Sequence, residues 1–289
     1  MRTIRHWDAA MPSATLGRVF TASIGQETLV NGGAFLDHLS IGYHCGITTG
    51  AVTIESAIDN LALFTLRYGA DTAIQLDGND LIALSAFYYG QLPTIHENTD
   101  ATGDNFVGAI KVPVQRKSDP SKPFSMSADF LAVTNTGDQT LSVTGYWLDQ
   151  DYGRKPVHAV VVTETSAGAT GADLRNWRIP PIGRLVGLIG AMPAASDMGE
   201  GNQSLSFNRV NLVVDGEVQI ELNTLNDNLP TEESEYLTKL PIGDLIHRYK
   251  RFDLRPEGLE LVGKVVNIQI DNQDASDALR WIPVIELGA

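Results

Sequence analysis

Apolar and polar residues alternate with a period of two through most of this chain. Val218-Gln-Ile-Glu-Leu222 and Ile74-Gln-Leu-Asp77 alternate strictly, the pattern of a strand with one face in a core and the other in water. Val266, Ile268 and Ile270 share a face, with Asn267 and Gln269 opposite. Val160-Val-Val-Thr163 and Leu141-Ser-Val-Thr144 are rich in β-branched residues. Turn clusters separate such runs: Gly69-Ala-Asp71, Asn135-Thr-Gly-Asp138, Asp215-Gly216 and Asp271-Asn272. Many short strands at this spacing predict a sandwich or barrel rather than βαβ units.

Helical signal is sparse. Asp80-Leu-Ile-Ala-Leu-Ser-Ala-Phe-Tyr-Tyr-Gly90 offers an acceptor at its start, an apolar stripe at Leu81, Leu84 and Tyr88, and a glycine stop. Asp244-Leu-Ile-His-Arg-Tyr-Lys-Arg251 repeats that start, with Leu245, Ile246 and Tyr249 as its stripe. Its basic end, Arg248, Lys250 and Arg251, complements a helix dipole. A phosphate site is the other reading of that cluster.

The two halves repeat one layout. In the first, a hairpin of Leu61–Tyr68 and Ala73–Asp77 precedes the helix from Asp80, and Phe124–Thr134 is expected to pair with Leu141–Leu148. In the second, Val210–Val214 and Val218–Leu222 precede the helix from Asp244, and Lys264–Ile270 is expected to pair with Leu279–Leu287. Each closing pair ends near a tryptophan, Trp147 or Trp281, placed by this reading in core or inter-unit packing. Insertions fall in different loops, around Gln91–Lys122 in one half and Thr224–Pro241 in the other. The joint is expected at Gln150–Pro156. The predicted organisation is all-β: an arm at 1–24, a first unit at 25–152 and a second at 153–289, with one short helix in each unit.

Composition narrows the function classes. A chain of 289 residues, 43% hydrophobic and 19% charged, has the balance of a folded protein. Its 27 glycines and 13 prolines sit mostly between apolar runs, where strands need turns. A net charge of −14 argues against nucleic acid as a specific partner, since phosphate binding needs a basic face. One cysteine, Cys45, rules out an intrachain disulfide. Met-Arg-Thr-Ile-Arg-His-Trp at the start lacks a signal-peptide core, and prolines and Arg184 interrupt the apolar stretch Ile179–Ala195. The expectation is synthesis and folding in a cytoplasm.

Catalytic chemistry is hard to find. No His-x-His, Gly-x-Ser-x-Gly, P-loop, Gly-x-Gly-x-x-Gly or Cys-x-x-Cys occurs, so no catalytic residue, cofactor or metal is assigned. His38 and His44 lie six apart on one strand face with no third ligand nearby, which favours hydrogen-bonded histidines over a metal pair. Cys45 beside His44 points to the opposite face of a strand and reads as a buried thiol. Asp271-Asn-Gln-Asp-Ala-Ser-Asp277 reads as a solvated turn, with calcium as its alternative. The first 24 residues carry Arg2, Arg5 and Arg18 against Asp8 alone. That asymmetry marks either an arm facing an anionic surface such as membrane headgroups, or a strap lying along the barrel.

This layout, with the repeated Asp80-Leu-Ile82 and Asp244-Leu-Ile246, resembles the double jelly-roll major capsid proteins of internal-membrane icosahedral phages and related viruses, over Glu27–Leu287. The resemblance implies two tandem jelly rolls and a virion location after synthesis in the host cytoplasm. It also implies homotrimers of pseudo-hexagonal outline that meet neighbouring capsomers and minor capsid or penton proteins. The basic arm would turn toward an internal membrane. Two other classes remain open: a carbohydrate-binding or spike-type β-sandwich, which needs aromatics along a sheet face, and an enzyme on a double-barrel scaffold, which needs an assembled metal or catalytic group.

Overall fold

A computed structural model describes residues 2–11, 18–23, 35–47, 58, 60–90, 93–96, 103–119, 121–130, 136–162, 173–191, 207–223, 249–272 and 280–288. The chain divides into two compact units, Met1–His158 and Ala159–Gly288. In the first, β1 (Arg2–Met11), β2 (Arg18–Ser23), β3 (Phe35–Ile47), β4 (Leu61–Tyr68) and β5 (Asp71–Leu76) lead into helix α1 (Gly78–Tyr89). After it come β6 (Thr94–His96), β7 (Asp104–Lys117), β8 (Phe124–Phe130) and β9 (Thr136–Leu148). The strand β10 (Val157–Val160) spans the division and opens the second set. It is followed by β11 (Asp173–Ile179), β12 (Arg184–Ala191), β13 (Phe207–Val214) and β14 (Glu217–Asn223). The chain finishes with β15 (Tyr249–Asp253), β16 (Leu259–Glu260), β17 (Val266–Asn272) and β18 (Arg280–Glu286).

Strand order reveals the duplication. One sheet of the first unit runs β1-β9-β3-β7, with β6 at its edge, and the other contains β2-β8-β4-β5. In the second unit, β10-β18-β12-β15 and β11-β17-β13-β14 are the corresponding runs, with β16 pairing β12. Set aside the short β6 and β16, and number the eight remaining strands of each set in chain order. Both then read 1-8-3-6 and 2-7-4-5. Apart from the hairpin of strands 4 and 5, successive strands alternate between two sheets, the eight-stranded jelly-roll arrangement of two Greek keys. The expected all-β tandem jelly roll is the observed fold.

The pairing differs from the expected one. Phe124–Phe130 pairs with β4 and β2, while Leu141–Leu148 lies in the opposite sheet beside β3 and β1. Likewise β17 pairs with β11 and β13, whereas β18 pairs with β12. Only β4–β5 and β13–β14 are the local hairpins that were anticipated. Sequence neighbours usually pair, but in a jelly roll each strand gains a buried face by crossing to the facing sheet.

Three further expectations are corrected. The stretch 91–122 is no simple insertion, because it contains β6 and the 14-residue β7. Ile110, Val112 and Val114 of β7 are buried, but positive φ at Ala109 and Gln115, beside Gly108 and Pro113, masks its alternation. Tyr249, Lys250 and Arg251, assigned to a second helix, are strand residues paired with Ala191, Gly190 and Ile189 of β12. Ladder pairing there outweighs a short helical pattern of marginal intrinsic stability; residues 244–248 lie outside the described set. The N-terminal residues do not form a separate arm: β1 pairs with β9 and β2 with β8.

The helix of the first unit starts earlier than Asp80. Asp77 is the N-cap, its carboxylate accepting from the Asp80 backbone N–H at 2.8 Å. Gly90, at φ 60°, closes the helix and its N–H donates to the Ala86 carbonyl. Residues Gly78 through Phe87 are all buried, so no face of α1 is left to water over that stretch. Its entry is tight, since a Cβ on Gly78 would lie 2.4 Å from the Ile58 carbonyl oxygen.

The second core is built on Trp177 and Trp281, both buried and packed edge to face at 6.3 Å, with Phe252 5.8 Å from Trp281. Val266, Ile268 and Ile270 line the same core, as their shared face predicted. Among the described strands β14 ends the β11-β17-β13-β14 run, and its Val218 is 50% exposed.

Candidate functional site

The most concentrated polar chemistry among the described residues lies where β3 begins. Pairing with β9 shifts register between Leu36 and His38, so Asp37 is an extra residue in the ladder, a β-bulge. The bulge lets two successive side chains, Asp37 and His38, both be buried. His38 Nδ1 donates to Asp37 Oδ2 at 2.8 Å, and Arg154 donates to the other carboxylate oxygen. Arg154 belongs to the turn after β9, which Asp151 organises by accepting from the backbone N–H groups of Gly153 and Arg154. The ion pair therefore pins that turn to the start of β3.

Aromatic rings enclose the histidine. Tyr146, opposite it on β9, stacks on the imidazole at 4.3 Å and 12°, and Tyr89 at the end of α1 lies 5.8 Å away. Burial pushes the His38 pKa down to about 4, with the charge of Lys111 adding to the shift. Because Arg154 already neutralises Asp37, the carboxylate does little to favour an imidazolium. The neutral ring is held by its hydrogen bond to Asp37 and its stacking on Tyr146.

The other candidates sort individually. His44 is 40% exposed and faces Asp104 Oδ1 at 3.5 Å, so it and His38 have separate partners. No group of three His, Cys, Asp or Glu side chains suited to a metal exists among the described residues. Cys45 is buried and outside any disulfide, as anticipated. Trp147 and Trp281 are core residues, Trp147 meeting Phe124 edge to face at 6.2 Å. Most of the acidic turn at 271–277 lies outside the described residues.

Arg2, Arg5 and Arg18 are not gathered in one place. Arg2 is paired with Trp147 at the end of β9, Arg5 with Thr144 further along, and Arg18 with Phe130. Since β8 runs from Phe124 to Phe130 after the turn from β7, Arg18 sits at the opposite end of the first unit from Arg2. The Asp37–His38–Arg154 cluster was missed in the sequence because a bulge created it. Its one legible trace is an acid next to a histidine in an otherwise apolar strand start.

No protein-family model and no curated protein matches this chain. Solved structures do match over nearly its whole length. The MCP of STIV, Sulfolobus turreted icosahedral virus, is similar with a TM-score of 0.66 and 12% identity, over 99% of this chain and 97% of that one. The major capsid protein P2 of bacteriophage PM2 matches with a TM-score of 0.60 and 9% identity, over 100% of this chain and 98% of that one. The PBCV-1 virus capsid gives 0.56 and 10%, over 98% and 92%. The chain shares the jelly-roll fold of these viral capsid proteins from end to end.

Proposed function

We propose that this chain is a structural virion protein, the major capsid protein of an icosahedral shell. The observation that carries the reading is the repeated strand order, 1-8-3-6 and 2-7-4-5, in two successive units. Two similar units in one chain give three chains six similar bodies, the geometry of a pseudo-hexagonal capsomer. The capsid proteins named above share this fold over 97%, 98% and 92% of their own chains, so no extra catalytic domain distinguishes them from this one. Most of the described residues lie in strands, and lateral contact over broad faces is what a shell subunit needs.

On this reading the protein acts as a homotrimer in the virion, meeting neighbouring capsomers and minor or penton proteins, after synthesis in a host cytoplasm. An internal membrane beneath the shell is its anionic neighbour. No enzymatic role is proposed, since the polar cluster at Asp37–His38 is occupied by its own partners. Among the described residues the exposed aromatics are Phe106 in β7 and Tyr152 in a turn, which do not form the row that a glycan-binding sheet face uses. The test is solution mass. Sedimentation equilibrium of the purified protein should give three chains of 31.3 kDa per particle. A monomer at every concentration would count against it.

A further inference from the structure

β5 closes the 2-7-4-5 run of the first set, yet a further strand lies on its far side: β10, the first strand of the second set. Val157 and His158 of β10 belong to the first unit, where the His158 side chain hydrogen-bonds the Thr72 backbone of β5. Flanked on both sides, β5 buries Ala73, Ile74 and Leu76.

In the second unit the fifth strand is β14. It has β13 on one side and, among the described strands, no neighbour on the other. Its side chains differ accordingly from those of β5: Glu217, Val218, Gln219 and Glu221 are exposed, and Ile220 is only partly buried. The complementary gap belongs to β1, the first strand of the first set. Its equivalent β10 lies between β18 and β5, whereas β1 has only β9 beside it among the described strands. A strand edge of this kind is a template for strand addition. The two edges also carry opposite charge. β14 contains Glu217 and Glu221 and no cation, while β1 contains Arg2 and Arg5 against Asp8.

We propose that β14 of one copy pairs with β1 of a second copy, repeating between chains the pairing of fifth strand with first strand that the chain makes once within itself. The inference rests on the capsid reading and names the edges through which its subunits meet. One edge meets a different edge, so the contact is heterologous, and heterologous contacts close into rings where the rotation between copies permits. In a ring of three every fifth strand gains a first strand, and Val218 gains a neighbour. The basic residues at the start of a chain of net charge −14 are then matched by the acidic edge of the adjoining copy.

The experiment is disulfide cross-linking of the full chain. Thr3→Cys, Ile4→Cys or Arg5→Cys in β1 is combined with Val218→Cys or Gln219→Cys in β14, and the solution mass of each variant is measured before oxidation. Facing residues of paired strands have Cα atoms about 5 Å apart, within disulfide range. The parent, whose single cysteine is buried, is the control. At least one combination should give dimers and trimers on denaturing gels that reductant collapses to single chains, and the variants with one added cysteine should give neither. A trimer by mass in which no combination cross-links would overturn the pairing and leave the capsid reading standing. Dimers formed by Val218→Cys or Gln219→Cys alone would show like edges meeting and overturn it as well. A monomer at every concentration would remove the capsid reading and the pairing together.

Discussion

Gly190 of β12 sits directly opposite Trp281 of β18, and a Cβ at Gly190 would come within 2.9 Å of the indole carbons Cη2 and Cζ3. The glycine is therefore the space into which the central tryptophan of the second core is laid. The indole is itself held by Trp177 and Phe252, so it has little room to retreat. Gly190→Ala should destabilise the protein by about 1–3 kcal/mol, the usual cost of overpacking a core. Urea unfolding measures it. Trp281→Phe in the same background should recover part of the loss, a coupling that a double-mutant cycle reads directly.

Truncation tests the place of the N-terminal residues. β1 and β2 supply a strand to each sheet of the first unit, paired along Arg2–Met11 and Arg18–Ser23. Deleting residues 1–23 should leave β9 and β8 with unpaired edges and abolish soluble, folded protein. A stable, monodisperse truncated protein, judged by circular dichroism and gel filtration, would show that these strands are dispensable.

His38 predicts a pH dependence with a definite sign. Its folded pKa of about 4 lies below the ordinary value of 6.5, so folding favours the neutral ring. The stabilisation is fully present above pH 6.5 and is lost as pH falls from there through 4. The shift corresponds to about 3 kcal/mol at most, at ~1.36 kcal/mol per pH unit. NMR titration of the imidazole should place its midpoint near 4, and His38→Gln should flatten the stability profile between pH 6.5 and 4. A midpoint near 6.5 would contradict the buried, neutral assignment.

The cap of α1 offers a smaller effect. Asp77→Ala removes the acceptor for the Asp80 N–H and should cost about 1 kcal/mol. Asp77→Asn keeps an acceptor and should lose only part of that. Equal losses in thermal unfolding would show that the charge, rather than the cap, matters there.

How much of this the amino-acid sequence disclosed depends on the range of each interaction. Local signals were read well. Alternation located the end of β5 at Ile74–Leu76 and the strand at Val266–Ile270, turn residues located the β4–β5 and β13–β14 hairpins, and a glycine stop located the end of α1 at Gly90. The duplication was visible too, through the order of such elements. Partner choice was not, because the sheet that Phe124–Phe130 joins is settled by residues 56 to 69 and 102 to 112 positions away. Backbone irregularity hid the rest. Positive φ at Ala109 and Gln115 broke up β7, and the bulge at Asp37 brought an acid, a histidine and a distant arginine together without any motif.

Class averages from negative-stain electron microscopy of the purified, untagged protein probe the tiling role most directly. Particles with three-fold symmetry and a six-sided outline are the predicted result, each edge formed by one of two similar sandwiches. Isolated single chains, or a particle of two-fold symmetry, at concentrations where the protein is soluble would contradict it.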